Sequence, residues 1–463
     1  MCGNSALLDG PATPPAGSVR VDPGTDLADV TGASDPGTTF WLAPGVHTLG
    51  GGAFDQVVPK DGDSFVGAPG AILDGRHLNR YAFTQHARGV AIRNLTIQGF
   101  GTAGGNANEG VVNHDGGGGW TIEHSTIRGN AGAGLLVGSD DVVRYDCLTG
   151  NGQYGLSAYA PSGVDHLLID RNEISYNNTD DWDHRIRGCG CAAGAKFWNV
   201  RGATIAGNWV HHNRGVGLWA DTDNVAFLVA GNVIEENDDE AIVYEISYNA
   251  VIHGNTIRRN ALVKGREYAA RGDTFTIAAI YISESGGDRR TGGPITSLDI
   301  SGNHLEDNWG GVALWENADR FCGSPANTSG GYCTVGGAAT LTTCVPGTID
   351  AAPYDADCRW RTQNVSVRDN DFLLDRAAIG CRDDPCGQQA LLSNYGTYPS
   401  WSPYRGRAVQ EDITFHQNNR FRGNRYVGDW RFTAYEPGRM LDFTAWRAAP
   451  YGQDLDSSMS SGG

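Results

Sequence analysis

One phrase recurs along this chain and constrains the fold more than any other feature. It reads Asn-x-apolar-x-x-Asn, usually with glycine in front. It runs from Asn172 through Ile174 to Asn177, from Asn208 through Val210 to Asn213 and from Asn232 through Ile234 to Asn237. It returns from Asn255 through Ile257 to Asn260 and from Asn303 through Leu305 to Asn308. Looser copies hold Ile127 before Asn130, Leu148 before Asn151, Phe372 after Asn370, and Phe421 between Asn419 and Asn424. Asn208, Asn232 and Asn255 are 24 and 23 residues apart, and wider gaps elsewhere mark insertions. Between these phrases lies a second one, a short β-branched and aromatic stretch led by a small residue. Gly110, Gly134, Gly155, Gly194, Gly217, Ala241, Ala279, Gly311 and Ala390 open its copies. Each stretch is too short for a helix and reads as a strand.

A period of 21 to 25 residues, several short strands per period and asparagine at fixed turns describe an all-β right-handed parallel β-helix. Coils stack about 4.8 Å apart. Asparagine tolerates the left-handed turn conformation, and stacked amides share hydrogen bonds along the axis. A leucine-rich repeat has a similar period, but its leucine spacing is absent. The 66 glycines of 463 residues fit many turns rather than a disordered chain. We expect an N-terminal segment and cap over 1–60, a β-helix with insertions over 61–430, and a C-terminal cap and tail over 431–463, one domain overall. Terminal caps are expected because a solenoid must cover its apolar ends. The closing Ser457–Gly463 reads as an unstructured tail.

With 35 basic and 53 acidic residues, the net charge of −18 argues against nucleic acid or an anionic membrane surface as partner. No apolar run reaches the length of a membrane span. Ten cysteines fall at 2, 147, 189, 191, 322, 333, 344, 358, 381 and 386. Pairs 322/333, 344/358 and 381/386 are close in sequence and read as disulfides within insertions. Cys189 and Cys191 are expected to pair elsewhere, with Cys147 or Cys2. Disulfides imply an oxidising, extracellular compartment. Cys2 also stands where a bacterial lipoprotein carries its lipid.

Strand alternation identifies the outward side chains. Inward positions hold Leu218 and Ala220, Ile242 and Tyr244, Ile280 and Ile282, and Val312 and Leu314. One outward column then reads Ser157, Lys196, Trp219, Val243, Tyr281 and Ala313; the other reads Tyr159, Trp198, Asp221, Glu245, Ser283 and Trp315. Glu284 and Glu316 follow just beyond. Tyr159, Trp198, Trp219, Tyr281 and Trp315 form an aromatic stripe suited to stacking on sugar rings. Asp221 and Glu245 sit on adjacent coils, near the about 5–5.5 Å carboxyl spacing of retaining glycosidases. Glu284 is two coils from Asp221, nearer the inverting range. Lys196 is expected to keep one carboxylate ionised, and it is one of three lysines in the chain. Asp223 and His184 are candidate substrate contacts, Asp223 also reading as a turn residue. His211-His212 falls in an asparagine turn and reads as surface. No cofactor is required; Asp221, Asp223 and Glu245 offer oxygen ligands to Ca²⁺. Most exposed charges serve only solubility, but here aromatics, acids and a lone lysine converge on one face.

The Asn-x-apolar-x-x-Asn coils over roughly residues 70–425 resemble the secreted right-handed parallel β-helix proteins of bacteria. That superfamily holds polysaccharide lyases, glycoside hydrolases and uronate epimerases. The Asn-Thr-Asp, Gly-His-Gly and Arg-Ile-Lys set of polygalacturonases is missing. The resemblance and the ladder together imply a secreted enzyme cleaving glycosidic bonds of a polysaccharide or oligosaccharide, as a glycoside hydrolase or transglycosylase. Asp221, Glu245, Glu284 and Lys196 carry the chemistry in this reading. The alternatives are a lyase or epimerase using Lys196, and a non-catalytic glycan-binding solenoid. Some β-helix enzymes also pair coils between chains, so an oligomer fits this reading.

Overall fold

The computed structural model describes residues 1–463 except 103–109, 187, 326–341, 346, 350, 352–355, 382–384, 394–399, 405–407, 437 and 462–463. The chain compacts into two units, Met1–Leu218 and Trp219–Gly463. Each is a stack of parallel β-coils, and a typical coil contributes three strands.

In the N-terminal unit one coil is Ala133–Val137, Val142–Arg144 and Cys147–Thr149. Its third strand pairs in parallel with Thr126–Arg128 on one side and Glu173–Ser175 on the other. Apart from Ala71–Asp74, the third strands of this unit are three residues long, and from Ala71–Asp74 onward the residue before the last points inward. Leu73, Ile97, Ile127, Leu148, Ile174 and Val210 are accordingly fully buried. Near the start of the stack, Thr39–Leu42 and Gly45–His47 pair in parallel with Ser64–Gly67 and Ala71–Asp74.

The repeated asparagines form axial ladders beside the third strands. Asn151 Oδ1 accepts from Asn130 Nδ2 at 3.0 Å, Asn177 Oδ1 from Asn151 Nδ2 at 3.0 Å, and Asn213 Oδ1 from Asn177 Nδ2 at 3.0 Å. The Nδ2 of Asn151 also donates across the coil to Ile127 O at 3.1 Å. Donor and acceptor are both satisfied, which a buried amide requires.

The first eleven residues run across the coils rather than along one. Cys2 is disulfide-bonded to Cys147, and Glu173 accepts from the Cys2 N–H at 2.8 Å. Further on, Leu7 O meets His124 Nδ1 at 3.0 Å, Leu8 O accepts from Asn94 Nδ2 at 3.1 Å, and Pro11 O from Trp41 Nε1 at 3.0 Å. A Cβ on Gly10 would lie 2.1 Å from Gly67 O, so only glycine permits this crossing. The Cys2 sulfur is therefore committed to Cys147 and has no valence for a lipid thioether, which corrects the lipid-anchor expectation. Cys189 and Cys191 bridge each other across one glycine, contrary to the expected outside partners.

The C-terminal unit has an asparagine ladder of its own through Asn232, Asn255, Asn303, Asn370 and Asn424, with Nδ2 to Oδ1 distances of 2.9 to 3.2 Å. It ends on Asp454, whose carboxylate accepts from Asn424 Nδ2, Tyr426 Oη and Trp446 Nε1. Trp446, on the helix Phe443–Arg447, is buried and closes this end. The serine tail is ordered: Ser458–Ser460 pairs in parallel with Arg425–Val427 as one more third strand.

Insertions pack onto the coils of this unit. The helix Leu262–Ala270 is fixed by Lys264 Nζ to Glu240 Oε2 at 2.8 Å, and Gly265 lies so close to Trp309 that a Cβ would fall 2.1 Å from the indole. Arg359 joins Glu316 and, at 2.8 Å, Asp412 in a buried ion pair that holds another insertion down. Cys344–Cys358 and Cys381–Cys386 are disulfides as expected. Cys322 is also disulfide-bonded, and Cys333 lies outside the described residues.

Candidate active site

The acid-bearing face belongs to the C-terminal unit. Register gives two columns, Val243–Tyr281–Ala313 and Glu245–Ser283–Trp315, as alternation requires. Inward-facing Ile242, Tyr244, Ile280 and Ile282 are buried. The outward columns are partly covered too. Phe275, from the segment after the helix Leu262–Ala270, packs edge-on against Trp315 at 4.9 Å and Tyr281 at 5.9 Å. Trp315 retains 6% exposure and lies in an apolar cluster with Ala278, Ala313, Ala390 and Leu392. It is not a sugar platform, because the insertion occupies its open face. Trp219 and Tyr281 are partly buried.

Asp221 ends its strand, and its Oδ1 accepts from the Thr222 N–H at 2.8 Å and the Thr222 hydroxyl at 2.9 Å. Asp223 follows in a left-handed turn, φ 62°. Burial, reinforced by the charge of Asp221, pushes the Asp223 carboxyl up to about 7. The left-handed residues at the ends of the next strands are Ile246 and Glu284. Glu284 is fully buried and is bonded by the Ser283 hydroxyl and the Asn317 N–H, each at 2.5 Å. Burial raises its carboxyl to about 7 against the pull of Arg320. The Arg320 guanidinium bridges Glu245 at 2.5 Å and Glu284 at 3.0 Å. The Tyr281 hydroxyl donates to Ser283 Oγ at 3.3 Å, and burial with the two nearby glutamates raises its pKa well above the ordinary value.

This arrangement changes two expectations. Glu284 has no exposed surface, so it cannot touch a substrate; it fixes Arg320. The cation on Glu245 is Arg320, which sits in an insertion with no periodic signal to reveal it. Phe275 was equally hidden, since nothing in its sequence neighbourhood says which coil it covers. Asp223, expected as a substrate contact or turn residue, is a partly buried carboxyl in a left-handed turn whose pKa is raised to about 7.

In the N-terminal unit Ser157 pairs with Lys196 and Tyr159 with Trp198, as expected. The two rings are 5.1 Å apart, and Tyr159 is 46% exposed. Lys196 Nζ donates to Gly190 O, inside the loop closed by Cys189–Cys191. His184 lies exposed on the short helix Trp182–Arg185, with Nδ1 2.7 Å from Asp181 Oδ1.

Among the described residues, the oxygens of Asp221, Asp223 and Glu245 do not gather within 4.8 Å of one another, the arrangement a preformed Ca²⁺ site would show. Cys322, Cys344 and Cys358 do converge, but their sulfurs are in disulfides.

A family model described as a right-handed β-helix region matches residues 109–288. No curated protein matches the chain in sequence. Among solved structures, XylC in complex with xylose is 9% identical, with a TM-score of 0.51 over 94% of this chain and 82% of that one. The A-module of Azotobacter vinelandii mannuronan C-5 epimerase AlgE6 is 13% identical, with a TM-score of 0.43 over 65% and 80%. The periplasmic alginate epimerase AlgG is also 13% identical, with a TM-score of 0.41 over 83% and 81%. The right-handed parallel β-helix is thus the architecture of this chain.

Proposed function

We propose that this protein is a carbohydrate-active enzyme that cleaves glycosidic bonds with paired carboxyl groups of the C-terminal unit. One observation carries the reading. Asp221 and Asp223 are two residues apart, and burial together with the charge of Asp221 raises the Asp223 carboxyl to about 7. Asp221 accepts two hydrogen bonds from Thr222 and lies beside this proton-holding carboxyl. A carboxyl raised to this range beside a second carboxyl group can supply the acid of an acid/base pair. Asp223 is the general acid that protonates the departing glycosidic oxygen. Asp221 or Glu245 acts as base or nucleophile, and Arg320 with Glu284 holds Glu245 in place. Trp219 and Tyr281, both partly buried, offer the rings against which a sugar can pack. The sugar as ligand class agrees with the xylose held in the XylC complex.

The test is a polysaccharide panel read by product. New reducing ends without ultraviolet absorbance are expected. An unsaturated, ultraviolet-absorbing product would instead mark a lyase and overturn the acid/base assignment. Asp221→Asn, Asp223→Asn and Glu245→Gln should each lower turnover by about 10²-fold or more while the fold is kept. Near-wild-type rates in all three would remove these residues from the chemistry.

A further inference from the structure

A second, non-catalytic feature lies on the third-strand sheet of the N-terminal unit. From Ala71–Asp74 onward each third strand points the residue before its last inward, so the residues on either side of it face out. The register of the last residues runs Asp74, Gln98, Arg128, Thr149, Ser175 and His211. These are six polar side chains in one column, spanning about 24 Å at the inter-strand spacing. The parallel column of first residues is largely closed where Cys2 bonds Cys147 and the start of the chain reaches Glu173. The last-residue column is exposed or half-buried from Asp74 to Thr149, and beyond it Ser175 and His211 are buried.

At one end the column is a polar depression of about 590 Å³ lined by Asp74, His77, Gln98, Arg128 and Thr149. A second depression, of about 400 Å³, shares His77 and adds Asn130, Thr179 and Asp180. Asp74 and Gln98 are joined at 3.0 Å, and Arg128 Nε donates to Gln98 Oε1 at 3.1 Å. Arg128 is exposed and lines the depression. Donors and acceptors of both signs alternate here, as hydroxyl groups, which both donate and accept, require.

At the other end the column meets aromatic rings. Trp209 is 39% exposed and stacks on His211 at 3.9 Å; Tyr176 is 52% exposed and stacks on His212 at 4.9 Å. His211 is itself held by Glu173 at 3.3 Å, so the platform is backed by a fixed layer. Exposed, braced aromatic rings beside a polar trough bind molecules with one apolar face and a rim of hydroxyls, which is the chemistry of a sugar ring.

We infer that this face is an accessory binding track for a neutral polysaccharide chain, with Trp209 and Tyr176 as stacking platforms and the Arg128–His77 depression as the hydrogen-bonding end. The inference rests on the glycan reading above but uses none of its catalytic residues.

Affinity electrophoresis through gels cast with neutral and uronate polysaccharides tests it, using the full chain. The wild type should be retarded by at least one neutral polymer. Trp209→Ala with Tyr176→Ala should weaken that retardation at least tenfold, Arg128→Ala severalfold, and Trp209→Phe should restore most of it. Turnover of short oligosaccharides should not change in these variants. Identical melting curves exclude misfolding as the cause. Mobility unaffected by every polymer, retardation by uronates alone, or equal retardation of wild type and the double variant would overturn the inference. The two readings fail separately: cleavage without track binding removes this one, and track binding without cleavage by any variant removes the catalytic one.

Discussion

Replacing Asp223 by Asn should move activity and stability in opposite directions, and the size of the second effect follows from its environment. The carboxyl is held at about 7 in the folded chain, against 3.8 for the free side chain. Between those values the folded state keeps a proton that the unfolded chain has released. Stability therefore falls as pH rises from about 4 to about 7, because the folded state binds more protons than the unfolded one. A shift of about three units, at 1.36 kcal/mol each, costs the folded protein roughly 4 kcal/mol above pH 7, as a ceiling. Asn cannot ionise and escapes this cost. Urea unfolding of the two proteins should coincide near pH 4 and separate progressively up to pH 8, with Asp223→Asn the more stable. Turnover should drop by about 10²- to 10⁴-fold, the usual worth of a general acid. The alkaline limb of the wild-type rate should begin near pH 7 and move to lower pH in Asp221→Asn, since the charge that helps raise Asp223 is gone. A stability gap that is flat in pH, or one that grows toward acid, would refute the assignment of a buried proton-holding carboxyl.

Arg320→Met should destabilise the C-terminal unit by about 3–5 kcal/mol above pH 7, because it leaves Glu284 buried without its cation; denaturant titration of Arg320→Met with and without Glu284→Gln checks this, and the second change should recover most of the loss. Trp315→Ala should cost about 3–5 kcal/mol of stability as a cavity mutation, whereas Trp219→Ala, at a partly buried position, should mainly raise KM; steady-state kinetics beside melting curves separate the two. Cys2→Ser opens a loop of 145 residues and should cost about 5 kcal/mol on the chain-entropy account, read as a lowered urea midpoint that reducing agent does not lower further through this bond.

The fold was legible because its signal is periodic and chemically forced. Asn255 must sit in its ladder since both ends of its amide are used, by Asn232 and by Asn303, and no other side chain has the same donor and acceptor at that reach. Alternation likewise told which way Tyr244 and Tyr281 point. It could not tell what lies over an outward residue. Trp315 reads as exposed until Phe275 is seen upon it, and the contact joins residues forty positions apart through an aperiodic insertion. Glu284 with Arg320 is the same case. Cys189 and Cys191 failed for a different reason: pairing depends on local backbone geometry, and spacing alone favours outside partners that the structure joins to each other.

The crossing segment at the start of the chain changes how the N-terminal unit comes apart. In a stack where each coil touches only its neighbours, coils can fray one at a time from an end. Here the segment from Cys2 to Pro11 is fastened to coils carrying Cys147, His124, Asn94 and Trp41. None of these coils can lift away without dragging a tether shared by the others. Fraying that would otherwise be local becomes collective, and a protease or a pulling force meets a single threshold over these coils in place of a series of small ones.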